Sequence, residues 1–177
     1  MSSKRCQKQR GFTLVEAVLT MVILSIAALS MGQTLGFAFQ HSSDGLWQAK
    51  TVALAEAYLE EILARRYDEA APPGGVPPCS AATTACSAIG PDAGESRETF
   101  DDVDDYHGLA EAPPEDATGA ARVGFDSYSA GISVRYLSVG EVGALGLDDA
   151  TDGKHIEVTI TPPGRSAQSF SVIRGNY

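Results

Sequence analysis

Residues 12–39 read FTLVEAVLTMVILSIAALSMGQTLGFAF, a run with no Lys, Arg or Asp and a single acid, Glu16. A helix that crosses a bilayer needs about 20 mostly apolar residues, so the run is long enough to span one. Just before it, Lys4, Arg5, Lys8 and Arg10 make the first eleven residues +4. Basic residues beside a spanning helix tend to stay cytoplasmic, which leaves the remainder of the chain expected outside. An ordinary secretory signal has a shorter apolar region, followed by a small-residue cleavage site. Here Gly11-Phe12 stands at the start of the apolar run, so cleavage there leaves the membrane helix on the mature chain.

Glu16 is the anomaly in this segment. An acidic side chain in a spanning helix costs about 2.5–3.5 kcal/mol at the bilayer centre, and less near an interface. It lies about one helical turn beyond Phe12. Once Gly11-Phe12 is cut, the new amine of Phe12 becomes a cation able to neutralise Glu16, within the chain or from a neighbour in a packed array. The plainer alternative is an interfacial Glu tolerated near a helix end.

The stretch Arg10-Gly11-Phe12-Thr13-Leu14-Val15-Glu16 resembles the cleavage and methylation motif of type IV prepilins and type II secretion pseudopilins. The resemblance implies cutting after Gly11 by a prepilin peptidase, N-methylation of Phe12, and a role for Glu16 in subunit registration. One departure is the absence of the mid-helix proline common in major pilins; Gly32 and Gly36 stand in this part of the run. Each glycine weakens a helix by roughly 1 kcal/mol relative to alanine.

Overall charge limits the rest of the chain. The net charge is −10, and beyond the basic leader 9 basic residues face 23 acidic ones, or −14. Phosphate-backbone binding needs clustered Lys and Arg, so the acidic body is not expected to bind nucleic acid. Of the three cysteines, Cys79 and Cys86 share the loop PPCSAATTACSAIG, while Cys6 lies on the other side of the apolar run. A short disulfide loop fits an oxidising exterior, with two unpaired thiols as the alternative. No further Cys or nearby His completes a metal site there.

Residues 41–70, HSSDGLWQAKTVALAEAYLEEILARRYDEA, resume helical periodicity. Val52, Ala55, Leu59, Ile62 and Leu63 form one apolar stripe, with Glu60 and Glu61 off it and Glu56 at its margin. The helix is expected to end before Ala71-Pro72-Pro73-Gly74-Gly75. A stem helix packed on a small sheet is the expected use of that stripe. Trp47, at its start, reads as a membrane-interface or core anchor.

Residues 100–109, FDDVDDYHGL, place Asp101, Asp102, Asp104 and Asp105 within five positions. Such a run offers oxygen ligands to calcium, but it lacks the spacing and distal Glu of an EF-hand loop. A solvated acidic loop is the default expectation. Residues 54–69, LAEAYLEEILARRYDE, and this acidic run after Arg97 resemble the D-type minor prepilins of mannose-sensitive haemagglutinin pili.

The C-terminal part reads as strands. In residues 128–139, YSAGISVRYLSV, Ile132, Val134 and Tyr136 share a face; in 155–161, HIEVTIT, Ile156, Val158 and Ile160 do. Pro162-Pro163-Gly164 makes a turn into 169–174, SFSVIR, with Phe170 and Val172 aligned, so the last two strands form a hairpin. A long helix followed by a small antiparallel sheet is an α+β fold, as the pilin resemblance also implies.

His41, His107 and His155 are scattered, and no G-x-S-x-G or P-loop occurs. His107 beside Asp104 and Asp105 is the sole hint of acid–base chemistry, without a nucleophile motif to accompany it. An enzyme is therefore not expected, nor a cofactor. The expected organisation is a leader at 1–11, a membrane and filament-core helix at 12–39, a stem helix at 40–70, an irregular region at 71–127 and a sheet at 128–177.

The resemblance implies a non-enzymatic minor prepilin of a type IV pilus-like filament. Its partners would be a prepilin peptidase, other major and minor pilins, the inner membrane and the assembly platform. The subunit would begin as a single-pass inner-membrane protein and end at the cell surface, in an adhesion filament. A type II secretion pseudopilin and a plain single-pass binding protein remain the alternatives.

Overall fold

The computed structural model describes residues 13–72, 74–80 and 83–176. The leader, Gly11 and Phe12 lie outside the described residues, as does the side chain of His41. The chain divides into two compact units, residues 1–46 and 47–177. Helix α1, Leu14–Leu63, contributes to both.

In the first unit, Leu14–Gln33 is a helical stretch long and apolar enough to cross a membrane. Its large apolar side chains, among them Val18, Met21, Ile23, Leu24 and Ile26, are exposed around the whole circumference. An α-helix apolar all round is not a surface helix of a soluble domain. Helical structure continues through Gly32 and Gly36.

In the second unit α1 stops at Leu63, short of the expected end at residue 70. Backbone pairing explains the early stop. Arg66 N–H donates to Asp101 O at 3.2 Å, and Val103 N–H donates to Arg66 O at 3.1 Å, a short parallel bridge that draws the chain out of the helix. The buried face is also rotated from the expected stripe: Thr51, Leu54, Ala55, Tyr58 and Ile62 are buried, whereas Leu63 is exposed. Glu61 belongs to the packed side rather than to solvent, for reasons given below.

Four antiparallel strands follow, in the order β1-β2-β3-β4: β1 Ala110–Glu111, β2 Ser129–Tyr136, β3 Gly153–Thr161 and β4 Gln168–Gly175. The expected hairpin is β3–β4, with Val158 opposite Phe170 and Ile156 opposite Val172. Its turn closes with Arg165 N–H on Pro162 O at 3.3 Å, and Gly164 takes φ +66°, a left-handed conformation that suits glycine. Ile132, Val134, Ile156, Val158 and Ile160 face inward onto Leu54, Tyr58 and Ile62, making one core with Phe100, Val103 and Tyr106. Trp47 packs against this core, its ring 5.7 Å from that of Tyr128, so of its two expected roles the core anchor is the one observed.

Two regions depart from the expected plan. The region 71–127 holds a 3-10 turn at Asp104–Tyr106 and the short strand β1. After β2 the chain leaves the sheet at Ser138 and forms helix α2, Val139–Leu145. The Ser138 hydroxyl and the Glu141 carboxylate cap one another's backbone N–H, and Gly146 ends the helix at φ +69°. No residue of α2 is buried.

Candidate functional site

The N-terminal segment is built from its first turn. Thr13 precedes α1, and its hydroxyl accepts the Glu16 N–H at 3.3 Å, satisfying one of the unpaired donors at the helix start. Glu16 therefore stands in the first turn with its carboxylate exposed, at the positive end of the helix dipole. Further along, three hydroxyls within the apolar run turn back on their own helix. Thr20 donates to Ala17 O at 2.9 Å, Ser25 to Met21 O at 2.7 Å and Ser30 to Ala27 O at 2.8 Å. A hydroxyl bonded in this way needs no water, the condition for burial in hydrocarbon.

In the second unit, the acidic run is not a solvated loop. Asp102, Asp104 and Asp105 are buried; Asp101 is exposed. The reason lies in the tight turn they build. Asp105 Oδ2 accepts the N–H groups of Asp101 and Asp102 at 2.9 and 3.0 Å, and Asp102 Oδ1 accepts that of Asp104 at 2.7 Å. Burial, with the charge of Asp105 adding to it, pushes Asp102 up to about 6. The four aspartates do not converge on one point. Asp101 and Asp105 group with Glu95, and Asp101 and Asp102 with Glu69, each set with carboxylate oxygens within 4.8 Å of one another. Asp104 belongs to neither set.

Asp104 instead meets Lys154, which the sequence reading passed over. Lys154 sits on β3 in the same alternation as Ile156, Val158 and Ile160, so its side chain enters the core and is 0% exposed. Its ammonium Nζ lies 2.6 Å from Asp104 Oδ2, 3.0 Å from Asp68 Oδ2 and 2.6 Å from Tyr67 O. The Tyr67 and Tyr136 rings stand 4.3 and 5.4 Å from it. A cation in such a place needs this full set of acceptors.

The two carboxylates are not equivalent. Asp68 receives the N–H groups of Ser87 and Ala70 as well as Lys154, which against the effect of burial holds it down at about 2. For Asp104 burial prevails over the pull of Lys154 and pushes it up to about 7. Its Oδ1 is buried and has no hydrogen-bond partner among the described residues. The charge balance agrees, since one buried lysine neutralises one carboxylate. A lysine at an inward strand register, in a chain with a clustered acidic run, was the signal available in the sequence.

A second buried network centres on Glu61. Arg97 reaches its Oε1 at 2.5 Å, Arg122 its Oε2 at 2.9 Å, and the Tyr106 hydroxyl donates to Oε1 at 2.9 Å. Arg97 continues to Glu111 at 2.8 Å, and Glu111 accepts the Tyr58 hydroxyl. Glu61 thus points into a polar cluster beneath the helix, which its sequence position beside exposed Glu60 did not reveal.

Cys79 and Cys86 form a disulfide, with Cα atoms 5.0 Å apart. Asn176 Nδ2 donates to Cys79 O at 2.8 Å and to Thr151 O at 3.0 Å, tying this loop to the end of β4. His107 is not paired with the aspartates. Its Nδ1 accepts the Val134 N–H at 3.1 Å, a backbone-supporting contact at the edge of β2. His155 lies on the other side of β3 from the core, opposite Arg135 and Ile173.

Residues 6–32 match the family described as the prokaryotic N-terminal methylation motif, a segment well short of half the chain. No curated protein matches the chain, and no solved structure does either. The matched motif, which takes in nearly all of the apolar stretch Leu14–Gln33, fits a single-pass inner-membrane anchor and indicates a type IV pilin-like precursor, which implies processing by a prepilin peptidase and assembly with other pilins.

Proposed function

We propose that the chain is a minor prepilin of a type IV pilus-like filament of the mannose-sensitive haemagglutinin type. The observation that carries this reading is the methylation motif at residues 6–32, whose apolar part is the helical stretch Leu14–Gln33 with its large side chains exposed. Cleavage after Gly11 leaves a mature chain beginning at Phe12, which is then N-methylated. The helix withdraws from the membrane into a bundle of other pilin helices at the assembly platform, where its apolar surface is again covered. In that bundle the Glu16 carboxylate, paired to the Phe12 amine of a neighbour, sets the register. An unpaired charge there costs a few kcal/mol, so misaligned packing is disfavoured.

The motif is shared with type II secretion pseudopilins, and the resemblance of residues 54–69 and 100–109 to D-type minor prepilins favours the pilus. The test is N-terminal peptide mass spectrometry after co-expression with a prepilin peptidase. A methylated chain beginning at Phe12 is expected. A chain still beginning at Met1, when a control prepilin is cut in the same cells, overturns the proposal in favour of a plain membrane-anchored protein. Recovery of the processed subunit in sheared pili, rather than in a secretion complex, separates the two filament types.

A further inference from the structure

We infer that Lys154 and Asp104 become joined by an amide bond between Lys154 Nζ and Asp104 Cγ, formed within the folded chain with loss of one water. The inference rests on the buried triad of Lys154, Asp104 and Asp68 and is independent of the filament reading.

Three requirements for such a condensation meet here. The first is proximity. Lys154 Nζ touches Asp104 Oδ2 at 2.6 Å, and both groups are held by the fold, one on β3 and one in the 3-10 turn after Val103. Holding two reactants in contact replaces a bimolecular encounter with an effectively unimolecular step. The second is an electrophilic acyl group. A carboxylate resists attack by an amine, and a neutral acid does so far less. Of the two aspartates on Lys154, Asp68 has both oxygens occupied by N–H donors, whereas Asp104 keeps a buried Oδ1 without a partner among the described residues. Burial favours the neutral form of Asp104. Asp104 is therefore the acyl partner and Asp68 is not.

The third requirement is a base for the ammonium. Asp68 Oδ2 lies 3.0 Å from the same Nζ, and the side chains of Lys154 and Asp68 are 0% exposed. Asp68 Oδ2 is thus the acceptor in reach of the proton that Lys154 must release; because its N–H donors hold Asp68 in the ionised form, this transfer is the uphill step of the condensation. The free amine then attacks Cγ of Asp104. The tetrahedral centre collapses with loss of its hydroxyl, which leaves as water with the second proton from nitrogen. The balance is complete: ammonium, carboxylate and carboxylic acid become a neutral amide, a protonated Asp68 and one water. No oxidant or co-reactant is needed. The Tyr67 and Tyr136 rings beside Nζ help to keep the site dry.

The test is mass spectrometry of the purified full-length chain in detergent, intact and after proteolysis. The expected result is a chain lighter by one water after its disulfide is reduced, with a branched peptide joining Lys154 to Asp104. In Asp68→Asn the fraction carrying the branch is expected to fall at least tenfold while the Cys79–Cys86 disulfide persists. Linear peptides covering residues 104 and 154, at full mass, overturn the inference. So does a one-water loss mapped to a succinimide at Asp44-Gly45 or Asp152-Gly153, the chemically obvious alternative sources. Wild-type peptide mapping decides the question even if a variant fails to fold.

Discussion

Glu16 and Thr13 share the first turn of α1, yet they answer to different demands. The Thr13 hydroxyl serves its own helix by accepting the Glu16 N–H. The Glu16 carboxylate is exposed, and locally it gains only the modest favour of the helix dipole. Glu16→Ala is therefore expected to leave processing after Gly11 intact and to reduce the subunit recovered in filaments at least tenfold. Immunoblotting of sheared filaments against membranes checks this. Full incorporation of the alanine variant would remove the registration role.

In the globular unit the same logic applies to buried charge. In chains where the Lys154–Asp104 bond has not formed, Lys154→Ala leaves Asp68 in the core without its cation, a change expected to cost about 3–5 kcal/mol in unfolding. Asp102 gives a pH signature. Its acid is held at about 6, above its ordinary value, so its contribution to stability is complete below about pH 4 and is lost as pH rises through 6. Between pH 7 and pH 5 the melting temperature is expected to rise. Asp102→Asn keeps an oxygen to accept the Asp104 N–H while removing the titration. It should reduce that rise, by on the order of 3 °C, in thermal melts; Asp104, also pushed up by burial, adds to the rise wherever its carboxyl is free.

At the scale of elements, periodicity was enough to find β2, β3, β4 and the amphipathic part of α1, because alternation is written in Ile132, Val134, Ile156, Val158, Ile160, Phe170 and Val172 and helical spacing in Ala55 and Ile62. It was not enough to find where α1 stops. That depends on Arg66 pairing its backbone with Asp101 and Val103, a contact across a long loop that no local pattern records. The acidic run was misjudged for a related reason. Charge predicts exposure until a buried lysine and a set of inward N–H groups are supplied, and both come from distant parts of the chain. Helix α2 was legible in principle, since Ser138, Glu141 and Gly146 spell a capping box and a glycine stop. Ser138→Ala is expected to cost α2 about 1 kcal/mol, read as faster amide hydrogen exchange in residues 139–145. The processing signal, by contrast, is local sequence, and Gly11, Phe12 and Glu16 stand out without any fold.

At the scale of the whole molecule, every core residue among the described residues lies at or beyond Trp47. The unit formed by residues 47–177 therefore has its own hydrophobic centre, its own sheet and its disulfide. A chain beginning at Trp47, exported to an oxidising compartment, is expected to be soluble and to unfold in a single cooperative transition by calorimetry. Aggregation, or a broad non-cooperative melt, would mean that the preceding helix is needed for folding.

Helix α2 buries none of its residues, is capped at its ends by Ser138 and Gly146, and is tied to β2 by Arg135 donating to both oxygens of Glu141 in its first turn. Its middle is thus a stretch whose identity the interior does not read. Natural variants can drift there without penalty from the core, so recognition by antibodies or phages can change while the rest of the subunit stays as it is. For the same reason a short epitope tag spliced between Gly143 and Ala144 offers a way to follow the subunit on living cells.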